Sequence, residues 1–167
     1  MDIDKDIIML FQQGNICSDA GGQADQVDKD TAETASRECR EESANLLYFS
    51  PETLRQCPTW IDKSKKKWSC YYFVDIDILG IDLSLFYTNR KILQKLKAPQ
   101  QWKEKQHIRL FNLSTLDDNH NCKIAHKIKS IVQMIDHIQI PYIDMMDSGV
   151  NKYANESFLQ NTYTYTF

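Results

Sequence analysis

Residues 31–45, TAETASRECREESAN, form one stretch with no glycine or proline, and this stretch most constrains the fold. It is long enough for about four helical turns. Asp30 stands before it as an N-cap, with Glu33 three residues on as its capping-box partner. Ala32, Ala35 and Cys39 fall on one stripe and pack inward, while Glu38, Glu41 and Glu42 stand at i, i+3 and i+4 on another. The helix is expected over 31–44, because Asn45 tolerates the left-handed backbone of a helix end. Like charges at that spacing cost a bare helix roughly a few tenths of a kcal/mol per pair. Such a face is either solvated and laced with surface ion pairs or a place that holds cations. Magnesium prefers such oxygen ligands and keeps positions for water and phosphate.

The surrounding chain mixes strand and helix patterns. Residues 6–11 read as a strand, followed by a loop that contains Gly21-Gly22, two of only five glycines. After the helix, 46–49 is extended and Ser50-Pro51 opens a short helix that runs to Cys57. A basic loop, Lys63-Ser64-Lys65-Lys66-Lys67, precedes a strand over 68–78, with a second strand over 81–87. A short helix over 89–96 is ended by Pro99, and 107–113 reads as a strand. Ile124, Ile128, Ile131, Ile135 and Ile138, spaced by three and four, mark an amphipathic helix over 121–138. Strands and helices do not alternate strictly, so the expected architecture is α/β (α+β), a sandwich with a central mixed sheet. One domain is expected over 1–150. Residues 151–167, with alternating Tyr163, Tyr165 and Phe167, read as a loose tail or a terminal edge strand.

Composition narrows the function classes. The chain has 167 residues, 42% of them hydrophobic, enough for a core without disulfides or structural metal. Twenty basic against 23 acidic residues, net −3, argue against a general nucleic-acid coat protein but leave a local basic patch open. The apolar run from Ile7 to Phe11 is too short for a signal-peptide core. No later stretch approaches the ~20 residues of a membrane span, so neither secretion nor membrane insertion is expected. Five scattered cysteines, Cys17, Cys39, Cys57, Cys70 and Cys122, contain no CxxC pair, and four histidines complete no zinc site. They read as reduced thiols, which implies an intracellular, cytoplasmic setting.

Taken together, Gly21-Gly22 and Arg37-Glu38-Cys39-Arg40-Glu41-Glu42 resemble the box of the Nudix hydrolase family, G-x5-E-x7-R-E-U-x-E-E-x-G-U, where U is bulky and apolar. The match covers residues 21–47, with Cys39 in the U position; over 6–140 the likeness is diffuse. Fourteen residues separate Gly22 from Arg37 where the family has thirteen, and the isolated glutamate of the pattern falls on Lys29. Asp28 or Glu33 can replace that glutamate as a partner for Arg37. Ser43-Ala44-Asn45-Leu46 stands for x-G-U, one residue longer. Family members carry a strand ahead of the one equivalent to 6–11, and here it is missing unless another segment, such as 163–167, fills its place.

The resemblance implies a Nudix-like α/β/α sandwich that hydrolyses a phosphoanhydride in a nucleoside diphosphate linked to another group, with Mg2+ or Mn2+ as cofactor. Glu38, Glu41 and Glu42 would bind metal together with the carbonyl of Gly21, and Arg37 would orient the carboxylates. Which of them is the base stays open. Glu104 would be an additional acid from a later segment, or simply a solvated residue between lysines. Trp60, Trp68, Tyr71 and Tyr72 offer stacking surfaces for a base, although Trp68 and Tyr72 share a strand face typical of core. Lys63, Lys65, Lys66 and Lys67 suit phosphates or an RNA backbone, or a solvated loop. His107 and His126 read as structural or surface residues. Nucleotide clearing and RNA decapping both fall within this reading, although a chain this short leaves little space for a separate RNA-binding region; a homodimer stays open. The alternative is a Nudix-fold module that binds nucleotide or RNA with little turnover.

Overall fold

The computed structural model describes residues 7–63, 68–116 and 122–135. In chain order its elements are β1 (Ile7–Gln13), β2 (Ile16–Ser18), α1 (Thr31–Glu42), α2 (Pro51–Gln56), β3 (Thr59–Asp62), β4 (Ser69–Tyr72), α3 (Ser84–Lys95), β5 (His107–Asn112), β6 (Lys123–Ile124) and α4 (His126–Ile135). The main sheet has the order β5-β1-β2-β6. Its first two pairings are antiparallel and β2 runs parallel to β6, so the sheet is mixed. β3 and β4 form a separate antiparallel hairpin.

β1 organises two cores because successive side chains of a strand point to opposite faces. Met9 and Phe11 join the residues of α1, α2 and α3, including Ala32, Leu54, Phe86 and Leu93. Ile8 and Leu10 meet Phe111 and, from α4, Ile128 and Ile131. Helices therefore cover both faces of the sheet. Gly14, at φ 58, makes the two-residue turn that folds β2 back onto β1. Sequence reading took β2 for part of a loop, since three residues give no readable alternation.

Three expected elements are corrected. The strand over 81–87 is instead the approach to and first turn of α3. Ile81, Leu83, Leu85 and Tyr87 alternate as a strand would, but Asp82 accepts from the Ser84 N–H at 3.0 Å in a turn that leads into the helix. Phe86, Asn89 and Leu93 then face inward at helical spacing. The strand over 68–78 shrinks to Ser69–Tyr72, which pairs with the four-residue β3. Trp68, expected in the core, is 70% exposed. The helix over 121–138 starts only at His126; Ile124, counted in its stripe, lies in β6. Its last residues, together with 151–167 and the proposed replacement strand 163–167, lie outside the described residues.

The cysteine reading is also corrected. Cys17 in β2 and Cys122, just before β6, form a disulfide with Cα atoms 6.3 Å apart, within the usual span. The two lie 105 residues apart in sequence and meet because β6 pairs beside β2, which no local pattern reveals. Cys39, Cys57 and Cys70 are free thiols. Among the described residues, no helix is long and apolar enough to cross a membrane.

Candidate functional site

α1 begins as its sequence dictates. Asp30 Oδ1 accepts from the Glu33 N–H at 2.9 Å, while Glu33 reaches one residue past the cap, to the Lys29 N–H. Arg55 of α2 pairs with Asp30 at 2.9 Å and Ser36 Oγ donates to the Phe49 carbonyl at 2.6 Å, which fix the helix against the chain that follows it. The helix ends in a left-handed turn spread over Ala44 (φ 52) and Asn45 (φ 58). The Asn45 N–H returns to the Arg40 carbonyl at 2.7 Å, and the buried Asn89 Nδ2 donates to the Ala44 carbonyl. Two successive left-handed residues thus end the helix just past its acidic turn.

Arg37 is the centre of the site. Its guanidinium lies 2.9 Å from Asp28 Oδ2, 2.9 Å from Glu38 Oε1 and 3.3 Å from Glu41 Oε2, and it donates to the Gln23 carbonyl at 2.9 Å. Of the two partners expected for Arg37, Asp28 is the one that meets it. Glu33, the other expected partner, pairs with Lys29 and Arg55 instead. Burial alone would raise the Asp28 pKa, but hydrogen bonds from Arg37, the Asp25 N–H and the Thr34 hydroxyl outweigh it and hold the carboxyl below its usual range.

The Gly21-Gly22 loop lies directly on the acidic turn. The Gly21 N–H donates to Glu42 Oε2 at 2.8 Å. At Gly22 a Cβ would meet the Glu38 carboxylate, so a side chain there would have to push that carboxylate aside. The other oxygen of Glu42 pairs with Lys105 Nζ at 3.0 Å. Sequence reasoning missed this lysine, since a lysine just ahead of a strand carries no signal. Its neighbour Glu104, the expected additional acid, is half-buried at the end of the 3-10 turn Gln100–Lys103 and has no place in this network.

The acidic face is not a solvated surface. Glu41 and Glu42 are only 2% and 6% exposed. Burial pushes both carboxyls up from 4.5 to about 7, against the lowering influence of Arg37 on Glu41 and of Lys105 and the Gly21 N–H on Glu42. Among the described residues, no group of three or more His, Cys, Asp or Glu side chains gathers around a common point that could hold a metal ion. The carboxylates are shared out between Arg37 and Lys105. Cys39, in the apolar position of the motif, is half-buried, and desolvation of its thiol with the Glu42 charge raises it to about 12.

A pocket of about 230 Å³ adjoins Arg37 and Glu41 and is also bordered by Arg40, Tyr48 and Trp102. The Arg40 guanidinium lies 5.2 Å from the Tyr48 ring centroid. Neither residue was singled out by sequence. Tyr71, a stacking candidate, packs against Trp60 with ring centroids 5.3 Å apart, and the Lys127 ammonium sits 5.3 Å above it. Lys127 also pairs with Asp19 at 3.2 Å, which links these rings to the loop that carries Gly21 but leaves them outside the carboxylate network. Tyr72 meets Thr31 through their hydroxyls at 2.6 Å. Lys63 stacks on exposed Trp68, while Lys65, Lys66 and Lys67 lie outside the described residues. His107 and His126 are exposed. Comparison with protein-family models, with curated proteins and with solved structures finds no match to this chain.

Proposed function

We propose that this chain is a Nudix-type pyrophosphohydrolase that cleaves a phosphoanhydride in a nucleoside diphosphate linked to another group. The observation that carries the reading is the Arg37 cluster, in which the two ends of the box, Asp28 and the Gly21-Gly22 loop on one side and Glu38, Glu41 and Glu42 on the other, meet within hydrogen-bond reach. A solvated surface helix would not bury two glutamates beside a glycine loop that lies against the carboxylate of a third.

The donor set fits Mg2+ or Mn2+ in kind: hard carboxylate oxygens on Glu38, Glu41 and Glu42 and the carbonyl of Gly21. Two of those carboxyls are costly to ionise where they are buried, a cost that a bound cation offsets. When bound, the metal would acidify water and neutralise polyphosphate charge. Arg37 would hold Glu38 and Glu41 in orientation. One of these glutamates would take a proton from water, and neighbouring carboxylates titrate as a coupled set. Arg40 and Tyr48 would border the substrate.

A second reading, a Nudix-fold module that binds nucleotide or RNA with little turnover, is favoured by one observation: the acids are distributed between Arg37 and Lys105 instead of converging. The two are separated by measuring phosphate release from nucleotide sugars, dinucleoside polyphosphates, nucleoside triphosphates and capped RNA, with magnesium and with chelator. Magnesium-dependent release supports the hydrolase; binding without release supports the module.

A further inference from the structure

Lysine is rarely buried unless paired, yet the Lys105 side chain is only 7% exposed. It reaches from the segment between the Gln100–Lys103 turn and β5 to the underside of the glycine loop. There its ammonium pairs with Glu42 Oε1 at 3.0 Å and donates to Ser18 Oγ at 3.2 Å. The second oxygen of Glu42 is taken by the Gly21 N–H. Both oxygens of this carboxylate are thus engaged, one of them by a full positive charge.

We propose that Lys105 is a built-in counter-ion of Glu42 that a divalent cation displaces, so that it sets the cation affinity of the site and holds the loop around Ser18–Gly21 on α1 until a cation arrives. This rests on the reading of Glu42 as a cation-binding carboxylate. The exchange is favourable in charge: a divalent ion carries twice the charge of an ammonium and approaches oxygen to about 2.1 Å. It is also feasible in reach, since a lysine is a point charge on a flexible four-carbon stem. Arg37 cannot serve in the same way, because its planar fork is already held by three carboxylates and a carbonyl. Once displaced, the ammonium has a hydroxyl, Ser18 Oγ, to retain and becomes a donor for a phosphate oxygen of the substrate. Lys105 is therefore a positioning residue of the site that also opposes metal binding.

The test titrates Mg2+ into the full chain by calorimetry for wild type, Lys105→Met and Lys105→Arg, and follows the Lys105 ammonium of the wild type by NMR. Lys105→Met should bind Mg2+ at least about tenfold tighter than wild type, because the competing charge is gone. Lys105→Arg should remain as weak as wild type. In the wild type the slowly exchanging ammonium signal of Lys105 should shift or vanish in step with Mg2+ occupancy, a readout that holds even where Lys105→Met fails to fold. Equal affinities in wild type and Lys105→Met, or an ammonium signal unchanged at saturating Mg2+, would overturn the proposal and leave the hydrolase reading intact. Absence of Mg2+ binding in wild type and in both variants would overturn the proposal and that reading together. Binding by Lys105→Met alone would overturn the exchange, because in the wild type no cation would then displace the ammonium.

Discussion

Replacing Arg37 by methionine removes the charge on which the site is assembled while keeping a side chain of similar length. Three carboxylates, Asp28, Glu38 and Glu41, lose their common partner, and their side chains are only 6%, 14% and 3% exposed. Removing one partner of a buried ion pair costs about 3–5 kcal/mol. Arg37 itself is 18% exposed, which admits some water and puts the loss at the lower end, about 3 kcal/mol. For a chain of this size each kcal/mol shifts Tm by about 2–4 °C, so scanning calorimetry in chelator at about pH 8 should register a fall of roughly 6–12 °C. The loss must depend on pH. Burial already lifts Glu41 to about 7, so on acidification it takes up a proton, the unpaired charge disappears, and the deficit should shrink by about half near pH 5.5. Arg37→Lys should fall between wild type and methionine, because a point charge cannot fork to three acids. A Tm within about 2 °C of wild type, or a deficit that does not shrink on acidification, would refute the claim that Arg37 holds the cluster.

Wild-type stability in chelator should itself fall as pH rises from about 5.5 to 8: the folded-state values of Glu41 and Glu42 lie near 7, above 4.5, so the folded protein binds more protons in that window and the stabilisation is lost on deprotonation. Asp28 works in the opposite direction, since its lowered pKa supplies stability above the ordinary value of 3.8 that is lost as pH falls below it, and thermal scans across pH should therefore show a maximum between the two limbs. Gly22→Ala should displace the Glu38 carboxylate, lowering metal-dependent turnover at least about tenfold while costing under about 1 kcal/mol of stability. Gly21→Ala, whose Cβ would meet only Asp19 Oδ2 at 3.7 Å, should retain turnover, as parallel rate and unfolding measurements would show.

The parts of this molecule that sequence revealed are those with local causes. The Asp30 cap, the stripe of Ala32, Ala35 and Cys39 and the left-handed Asn45 follow from spacing along one helix, while a nearby acid as the partner of Arg37 was implied by the resemblance. The same logic misassigned 81–87, where alternation and helical spacing coexist and the turn from Asp82 onto the Ser84 N–H leads into α3. Features that depend on distant partners were invisible. Lys105 reaches Ser18 across 87 residues, and Cys17 reaches Cys122 through a two-residue strand. The burial of Glu41 and Glu42 was likewise unreadable, because it comes from the glycine loop and Lys105 closing over the helix. Charge on an isolated helix would be read as solvated.

The central claim is that Glu41 belongs to a metal-dependent hydrolytic site, and the most direct measurement compares wild type with Glu41→Gln on the best substrate of the phosphate-release screen. The substitution keeps size and leaves Arg37 with Asp28 and Glu38 as partners, so the protein should fold with unchanged or slightly raised stability at about pH 8. Loss of a carboxylate that binds metal in the transition state should cost several kcal/mol, and with about 1.4 kcal/mol per tenfold the rate should drop at least about a hundredfold. Hydrolysis by the wild type should also stop in excess chelator. Equal rates for wild type and a folded Glu41→Gln, or full hydrolysis in excess chelator, would contradict the account.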